Sequence, residues 1–521
     1  MAQSIDRKWL KQHPRHWAAA LALVLSACGG GGDSSVANSP GIPPSAQSAQ
    51  QCSANNPYAA SGLKTGTLAL EKQWLRSYFD EAYLWYSEVP AVDASAALYS
   101  GSDVYTAMSN YFAALKTSAV TATGSKKDKF GFIYPTAAWQ ALAGSGKSPG
   151  YGFELVFGSL VVNAQTPHRD IRIAYIEPGS EAEAKGLQRG DLLVTVDGVS
   201  ADDNTQAGVN VLNAAAFPKD SDVGVAAHNW VFSRAGATLA QLTLTVADIT
   251  KKPVLSRSVV TASDGKKIGY MVFNDHLATA EPQLVEAVNY FKAQAIDDLV
   301  LDIRYNGGGY LYIASELAFM VAGASRTDSK TFEKLVFSDK RNADTDKPSA
   351  TTPYYNASTG GSALPSLNLA RVFVLTLPGT CSASEAIING LRGVDVDVRL
   401  IGGTTCGKPY GFYGRDNCGV TYFPIEFKGA NAKGYGDYTD GFVPGGAGAA
   451  GVPGCTASDD LTKALGDTNE AMLATALSYR ATGSCPALAL GEKALAAGRA
   501  TTASGILVRN PARENRLLLP R

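Results

Sequence analysis

The run Leu299-Val300-Leu301-Asp302-Ile303 leads straight into Asn306-Gly307-Gly308-Gly309, and a helical pattern, Ile313 to Val321, begins just beyond. A short apolar run with no polar face suits a strand covered on both sides, as in parallel sheets. The glycines then leave backbone amides unobstructed where the chain turns toward a helix. The region from about 252 to 485 repeats this alternation. Ile268 to Phe273, Arg371 to Leu377 and Val398 to Ile401 read as strands. Glu281 to Gln294 reads as an amphipathic helix facing Leu284, Val285, Val288 and Phe291 inward, and Ser384 to Leu391 as another. The expectation is an α/β core of layered strands and helices with functional loops at strand ends. Residues 323–366, polar and rich in Gly, Ser and Thr, read as an insertion loop.

With 521 residues the chain has room for several domains. Charged residues are 18% and the net charge is −1, so no basic field points to nucleic acid. The beginning of the sequence reads as an export signal. Arg7, Lys8, Lys11 and Arg15 precede an apolar stretch, Trp17 to Leu25, too short to span a bilayer. Leu25-Ser26-Ala27-Cys28 resembles the bacterial lipobox, which implies lipidation at Cys28. Gly29 in place of Asp implies, by the same resemblance, an outer-membrane anchor facing the periplasm of a Gram-negative envelope. Residues 29–51 read as a flexible tether reaching roughly 25–30 Å. The six remaining cysteines (52, 381, 406, 418, 455 and 485) suit three disulfides in an exported chain. Cys406–Cys418 is the pairing expected, across a Gly- and Tyr-rich turn, and Cys381 with Cys406 flanks the candidate site described below. No Cys-x-x-Cys or clustered histidine supports a metal, and neither metal nor cofactor is expected.

Residues 52–147 read as an N-terminal helical domain. Leu70, Trp74, Leu75, Tyr78 and Phe79 share one helical face, read as core. Residues 148–250 are strand-rich. Gly150-Tyr151-Gly152-Phe153, then Glu177-Pro178-Gly179-Ser180, Gly186-Leu187 and Gly190-Asp191, resemble the landmarks of a PDZ domain. That resemblance makes Tyr151, Gly152 and Phe153 a carboxylate-binding loop, with an open strand edge to take an extended peptide. The core occupies 251–485, and 486–521 is an Ala- and Arg-rich tail expected to be poorly ordered from about 500.

Three segments can carry chemistry. The glycine loop offers amides to a developing oxyanion, and it lacks the Gly-Lys-Ser/Thr ending of a phosphate-cradling loop. Asp302 and Arg304 read as structural partners. Gly379-Thr380-Cys381-Ser382-Ala383-Ser384-Glu385 joins a strand to a helix. Ser382 with Glu385 there is either a capping box or a nucleophile at the positive end of a helix dipole. Gly407-Lys408 ends the next strand region. A lysine near its usual pKa of about 10.4 is a poor base, but burial can lower that value.

Taken together, Asp-Ile-Arg-Tyr-Asn-Gly-Gly-Gly, Ser-Ala-Ser-Glu and Gly-Lys resemble the C-terminal processing peptidases, or tail-specific proteases, over about residues 65–480. The resemblance implies a ClpP/crotonase-like α/β core with an inserted PDZ-like domain and an N-terminal helical domain. It implies an envelope serine endopeptidase with a Ser382–Lys408 dyad, and Ala383 with Gly308 or Gly309 as oxyanion donors. The Ser382–Lys408 spacing is one longer than usual in that family and the Ser384–Lys408 spacing one shorter; Ser382 is favoured. Family members often carry Gln four residues after the lysine, where this chain has Phe412; Tyr410 or Asn417 is the candidate substitute. His276 is an alternative base, by likeness to distant relatives. Implied partners are proteins or peptides with accessible C-termini and a membrane held through the lipid; an adaptor or homo-oligomer is left open. The rival reading is a catalytically weak or inactive PDZ-containing peptide-binding scaffold or chaperone.

Overall fold

The computed structural model of the chain describes residues 38–486, except 164, 165 and 204, and also Arg516–Leu518. Cys28, the export segment and most of the expected tail lie outside the described residues. No described helix is long and apolar enough to cross a membrane.

A six-stranded sheet organises the second half of the chain. Its order is Val254–Thr261, Lys267–Phe273, Asp298–Asp302, Arg371–Thr376, Asp397–Gly402 and Gly454–Thr456. The first pair is antiparallel and every later pair parallel. Alternate residues of each strand enter opposite cores, as a period of two requires. Met271, Phe273, Leu299, Leu301, Val372, Val374, Val398 and Leu400 face one side. The helices Ala280–Gln294, Leu311–Ala322 and Ala383–Gly393 cover that side. Tyr270, Val272, Val300, Phe373, Leu375 and Ile401 face the other, under the helix Ala471–Thr482. The parallel strands are buried on both faces, which is why Leu299–Ile303 shows no alternation.

Residues 323–366 are not a loop. Thr331–Phe337 is the second strand of a four-stranded sheet ordered Thr351–Pro353, Thr331–Phe337, Phe427–Ala430, Tyr410–Gly411. Phe332, Leu335 and Phe337 are buried there; Glu333 and Lys334, lying among them, hid the strand from a reading by polarity.

The N-terminal region has the expected helices, Leu68–Ala82 and Val104–Leu115. Trp74, Leu75, Tyr78 and Phe79 are buried, and Thr67 caps the first helix by accepting Leu70 N–H. These helices share one core with Tyr410, Phe412, Tyr422 and Phe423. The same region also supplies a strand, Phe132–Pro135, which pairs antiparallel with Val420–Phe423.

Nor are residues 38–51 a free tether. Ser45–Gln47 forms a 3-10 turn; Ser39 N–H donates to Asp80 and Ser45 N–H to Glu81. Cys52 is then joined to Cys418, with Cα atoms 5.4 Å apart.

The expected Cys406–Cys418 pair is not formed: Cys406 bonds Cys381 and Cys455 bonds Cys485. The physical reason is that no single hairpin spans the two. Tyr410–Gly411 pairs with the Phe427–Ala430 strand, whereas Arg415–Asn417 pairs with Val420–Phe423 in another sheet. The chain between Cys406 and Cys418 is thereby drawn to two different sheets.

Residues 147–250 form an inserted module. Its first strand, Lys147–Gly150, pairs antiparallel with its last, Ala247–Thr250. Between them lies a seven-stranded antiparallel sheet with the helices Glu181–Ala184 and Gln206–Ala216. Phe153–Asn163 is an edge of that sheet. Arg189 of the module reaches the core, donating to Tyr305 and ion-pairing with Asp459.

Candidate active site

Ser382 is the N-cap of the helix Ala383–Gly393, at φ 62° and ψ −116°. A non-glycine residue at such an angle carries strain of about 1–3 kcal/mol, tolerated where the surroundings over-determine the backbone. Three bonds do so here. Cys381, just before it, is tied to Cys406, with Cα atoms 5.2 Å apart. Ser382 N–H donates to Glu385 Oε2 at 2.9 Å, and Ser382 C=O accepts from Ala386 N–H at 2.8 Å. Glu385 thus supplies its half of the capping box, while Ser382 Oγ is buried and makes no hydrogen bond among the described residues. Ser384 differs, because its hydroxyl donates to the carbonyl of Asn306 at 3.0 Å.

Glu385 does far more than cap. Its Oε2 also accepts Lys408 N–H at 2.8 Å, and its Oε1 accepts Gly407 N–H at 2.9 Å and the Thr405 hydroxyl at 2.5 Å. Burial holds the Glu385 carboxyl above its usual range, and these four donors offset only part of that rise. One carboxylate thus fixes the backbone of both Ser382 and Lys408. Gly407 has φ +81°, and a Cβ there would lie 2.2 Å from Thr439 O, so only glycine admits the turn that presents Lys408.

Lys408 is fully buried. Its Nζ stands 4.2 Å from the Phe412 ring centre and 5.4 Å from that of Phe130. The position where Gln was expected by resemblance is thus a ring face. Tyr410 packs edge-on to Trp85, and Asn417 Oδ1 accepts Gln50 N–H, which ties that side chain to the segment ahead of Cys52.

Asn306 is a second hub. Its carbonyl accepts Cys381 N–H at 3.1 Å as well as the Ser384 hydroxyl. Its side-chain Oδ1 accepts Gly308 N–H at 2.9 Å and lies 3.0 Å from His276 Nδ1, while its Nδ2 donates to Phe273 O. That orientation makes Oδ1 the acceptor, so His276 Nδ1 carries hydrogen. His276, the alternative base, is buried and supports the glycine loop through this bond. Gly308 N–H is engaged by Asn306. Gly309, at φ +146°, lies against His276, whose carbonyl a Cβ would approach to 2.5 Å. Ala383 opens the helix after Ser382 and is buried.

Asp302 and Arg304 have the structural role expected. Arg304 is fully buried between Asp302 and Glu470, and its Nη1 also meets Asp459 at 2.8 Å. Asp459 links this cluster to Arg189 of the inserted module. The ligand-type atoms of Cys381, Glu385 and Cys406 also cluster, but both sulfurs are joined to each other and offer no thiolate.

Around Gly152 (φ +93°), the expected carboxylate loop packs on the turn before the helix Glu181–Ala184. Gly152 C=O accepts Glu177 N–H at 2.7 Å, and a Cβ there would lie 2.0 Å from that of Ser180. Tyr151 and Phe153 stack on each other and meet Trp230 edge-on.

Residues 267–411, which hold the glycine loop, Ser382 and Lys408, match the model of Peptidase family S41 and form a domain of that kind. The chain is 30% identical over 141 residues to a carboxyl-terminal-processing protease of Picosynechococcus sp., covering 27% of this chain and 32% of the relative. It is 26% identical over 261 residues to one from Synechocystis sp., covering 49% and 53%. The chain thus spans about a third to a half of the length of these relatives. Its fold is similar to the solved structure named "Putative S41 protease", from Bacteroides fragilis, with a TM-score of 0.58, 23% identity, and coverage of 79% of this chain and 97% of that one.

Proposed function

We propose that the chain is a serine endopeptidase of the carboxyl-terminal-processing kind, with Ser382 as nucleophile and Lys408 as general base. The observation that carries this is the contrast between two serines on one helix turn. Ser384 Oγ is committed to Asn306, whereas Ser382 Oγ makes no hydrogen bond among the described residues, at a strained helix N-terminus locked to Lys408 through Glu385. Ser382 Oγ attacks the peptide carbonyl and Lys408 Nζ takes its proton. The resulting ammonium then protonates the leaving nitrogen and returns to the amine, and water releases the acyl group. The oxyanion sits against Gly309 N–H and Ala383 N–H at the helix start.

The inserted module is read as a PDZ-like peptide holder, its edge strand Phe153–Asn163 taking an extended C-terminal segment. Three disulfides fit an oxidising compartment, and Cys28 fits a lipid anchor in a bacterial envelope. The test is the intact mass of an unstructured protein substrate after exposure to the wild type, Ser382→Ala and Lys408→Ala. Cleavage by the wild type alone is expected, and undiminished cutting by Ser382→Ala ends the assignment.

One observation favours the second reading, a peptide-binding scaffold. Ring faces at Phe412 and Phe130 attract a charged ammonium, which cannot accept a proton. Failure of a fluorophosphonate to label Ser382, with C-terminal peptide binding retained, would select that reading.

A further inference from the structure

Gly308–Tyr310 is a short strand with two edges. On one edge His276 N–H donates to Gly308 O at 3.3 Å, and Tyr310 N–H donates to His276 O at 2.9 Å. Backbone groups of successive strand residues point to opposite edges, so Gly309 N–H and C=O face the other way. There the segment Arg516–Leu518 runs parallel, with Gly308 opposite Arg516, Gly309 opposite Leu517 and Tyr310 opposite Leu518. The backbone of this segment also runs beside Tyr410–Gly411, the strand just beyond Lys408.

A stretch from the far end of the sequence therefore lies between the loop bearing Gly309 and the strand that follows Lys408. We propose that this cleft is a subsite that binds extended peptide by strand addition, and that its resident ligand is the chain's own Arg516–Leu518, held in cis as a competitive inhibitor. This rests on reading Ser382 and Lys408 as the peptidase centre. In a parallel ladder of this register, Gly309 N–H is aimed at the carbonyl of residue 516 and Gly309 C=O at the amide of residue 518. Because Asn306 holds Gly308 N–H, Gly309 supplies the loop amide that a substrate carbonyl needs. The bound segment occupies that amide.

The chemistry of recognition is main-chain pairing, so the site selects an extended conformation first and side chains second. Leu517 and Leu518 lie in the paired strand, and Leu517-Leu518-Leu519 is an apolar run of sequence of the kind such a cleft can hold. Tethering makes weak intrinsic affinity sufficient, since a linked ligand has an effective concentration on the order of millimolar. Substrates that bind well would displace it, and those that bind poorly would not.

The test compares the full chain, a chain lacking residues 487–521, and Leu518→Pro, which removes the N–H aimed at Gly309. With a quenched fluorescent peptide substrate, both variants should show KM lowered about 5–50-fold at unchanged kcat. A synthetic peptide of residues 510–521 should raise KM of the shortened chain competitively. The second readout needs no catalysis: in the Ser382→Ala background, the labelled peptide should bind the shortened chain about tenfold or more tightly than the full one, by anisotropy. Equal KM in all three chains, with equal peptide binding, overturns the proposal. So does loss of residues 516–521 from the purified wild type but not from Ser382→Ala, because the segment would then be a substrate that is cut away. If no chain cleaves but the binding difference holds, the peptidase reading fails and the cis ligand stands.

Discussion

Ser382 and Lys408 donate their backbone amides to the same oxygen, Oε2 of Glu385, at 2.9 and 2.8 Å. Two chain segments are thus set against each other by a buried carboxylate whose other oxygen holds Gly407 and Thr405. Glu385→Gln tests this. An amide presents an acceptor on one side only, so in either orientation its NH₂ confronts donors. Leaving buried donors unpaired costs about 1–3 kcal/mol each. The expected outcome is a clear fall in Tm and a loss of about a hundredfold or more in kcat/KM. A Gln variant with wild-type activity would show that Glu385 does not position the pair.

Ser382 sits at φ 62°, where glycine is at ease and serine is not. Ser382→Ala keeps the strain and should leave Tm within about one degree of wild type while abolishing cleavage. Ser382→Gly relieves about 1–3 kcal/mol of strain and loses about 0.5–1 kcal/mol through the freer unfolded chain. Calorimetry should find the inactive Gly variant more stable than wild type. A destabilised Gly variant would mean that the serine side chain contributes packing that outweighs its backbone cost.

This strain also marks where sequence reading stopped. The pattern around Ser382 shows a strand, a turn and a capping residue, because those depend on local spacing. The positive-φ backbone depends on the Cys381–Cys406 bond together with Glu385 and Ala386, and its remote partner, Cys406, leaves no local signal. Leu299–Ile303 was legible as a doubly covered strand because its pattern needs only its own residues. Thr331–Phe337 was not, because Glu333 lies buried in it and its partner strand, Phe427–Ala430, is remote in the chain. Glu385 was legible as a cap for Ser382, but its grip on Lys408 required the fold. The disulfides illustrate the same limit: proximity in sequence suggested Cys406–Cys418, and two separate sheets decided otherwise.

The Cys381–Cys406 bond joins the residue before Ser382 to the turn before Lys408. Closing a loop of this size contributes about 3.5 kcal/mol in the chain-entropy account. Replacing both cysteines with alanine should lower Tm and cut kcat/KM at least about tenfold, since the brace spans the proposed dyad. The Cys455→Ala, Cys485→Ala pair is the control; Cys455 lies on the far edge strand of the main sheet. The control should lose stability and keep kcat/KM. Equal activity losses in both would show that the effect is global loosening.

Glu333 gives a prediction about pH. It is buried on the strand Thr331–Phe337 against Gly429, where a Cβ would lie 1.9 Å from Glu333 Oε1. Burial without a compensating charge pushes its carboxyl up to about 8 from 4.5. A raised value means that the fold holds the proton more tightly than the unfolded chain does. Below about 4.5 both states are protonated and the group adds no penalty. Between about 4.5 and 8 the unfolded chain releases the proton and the fold does not, so stability falls as pH rises, levelling off above about 8. Glu333→Gln removes this slope. The variant should match wild type near pH 4 and exceed it by up to a few kcal/mol at pH 8.5. Urea midpoints across that range are the measurement, and two parallel curves would show that Glu333 releases its proton as readily in the fold as outside it.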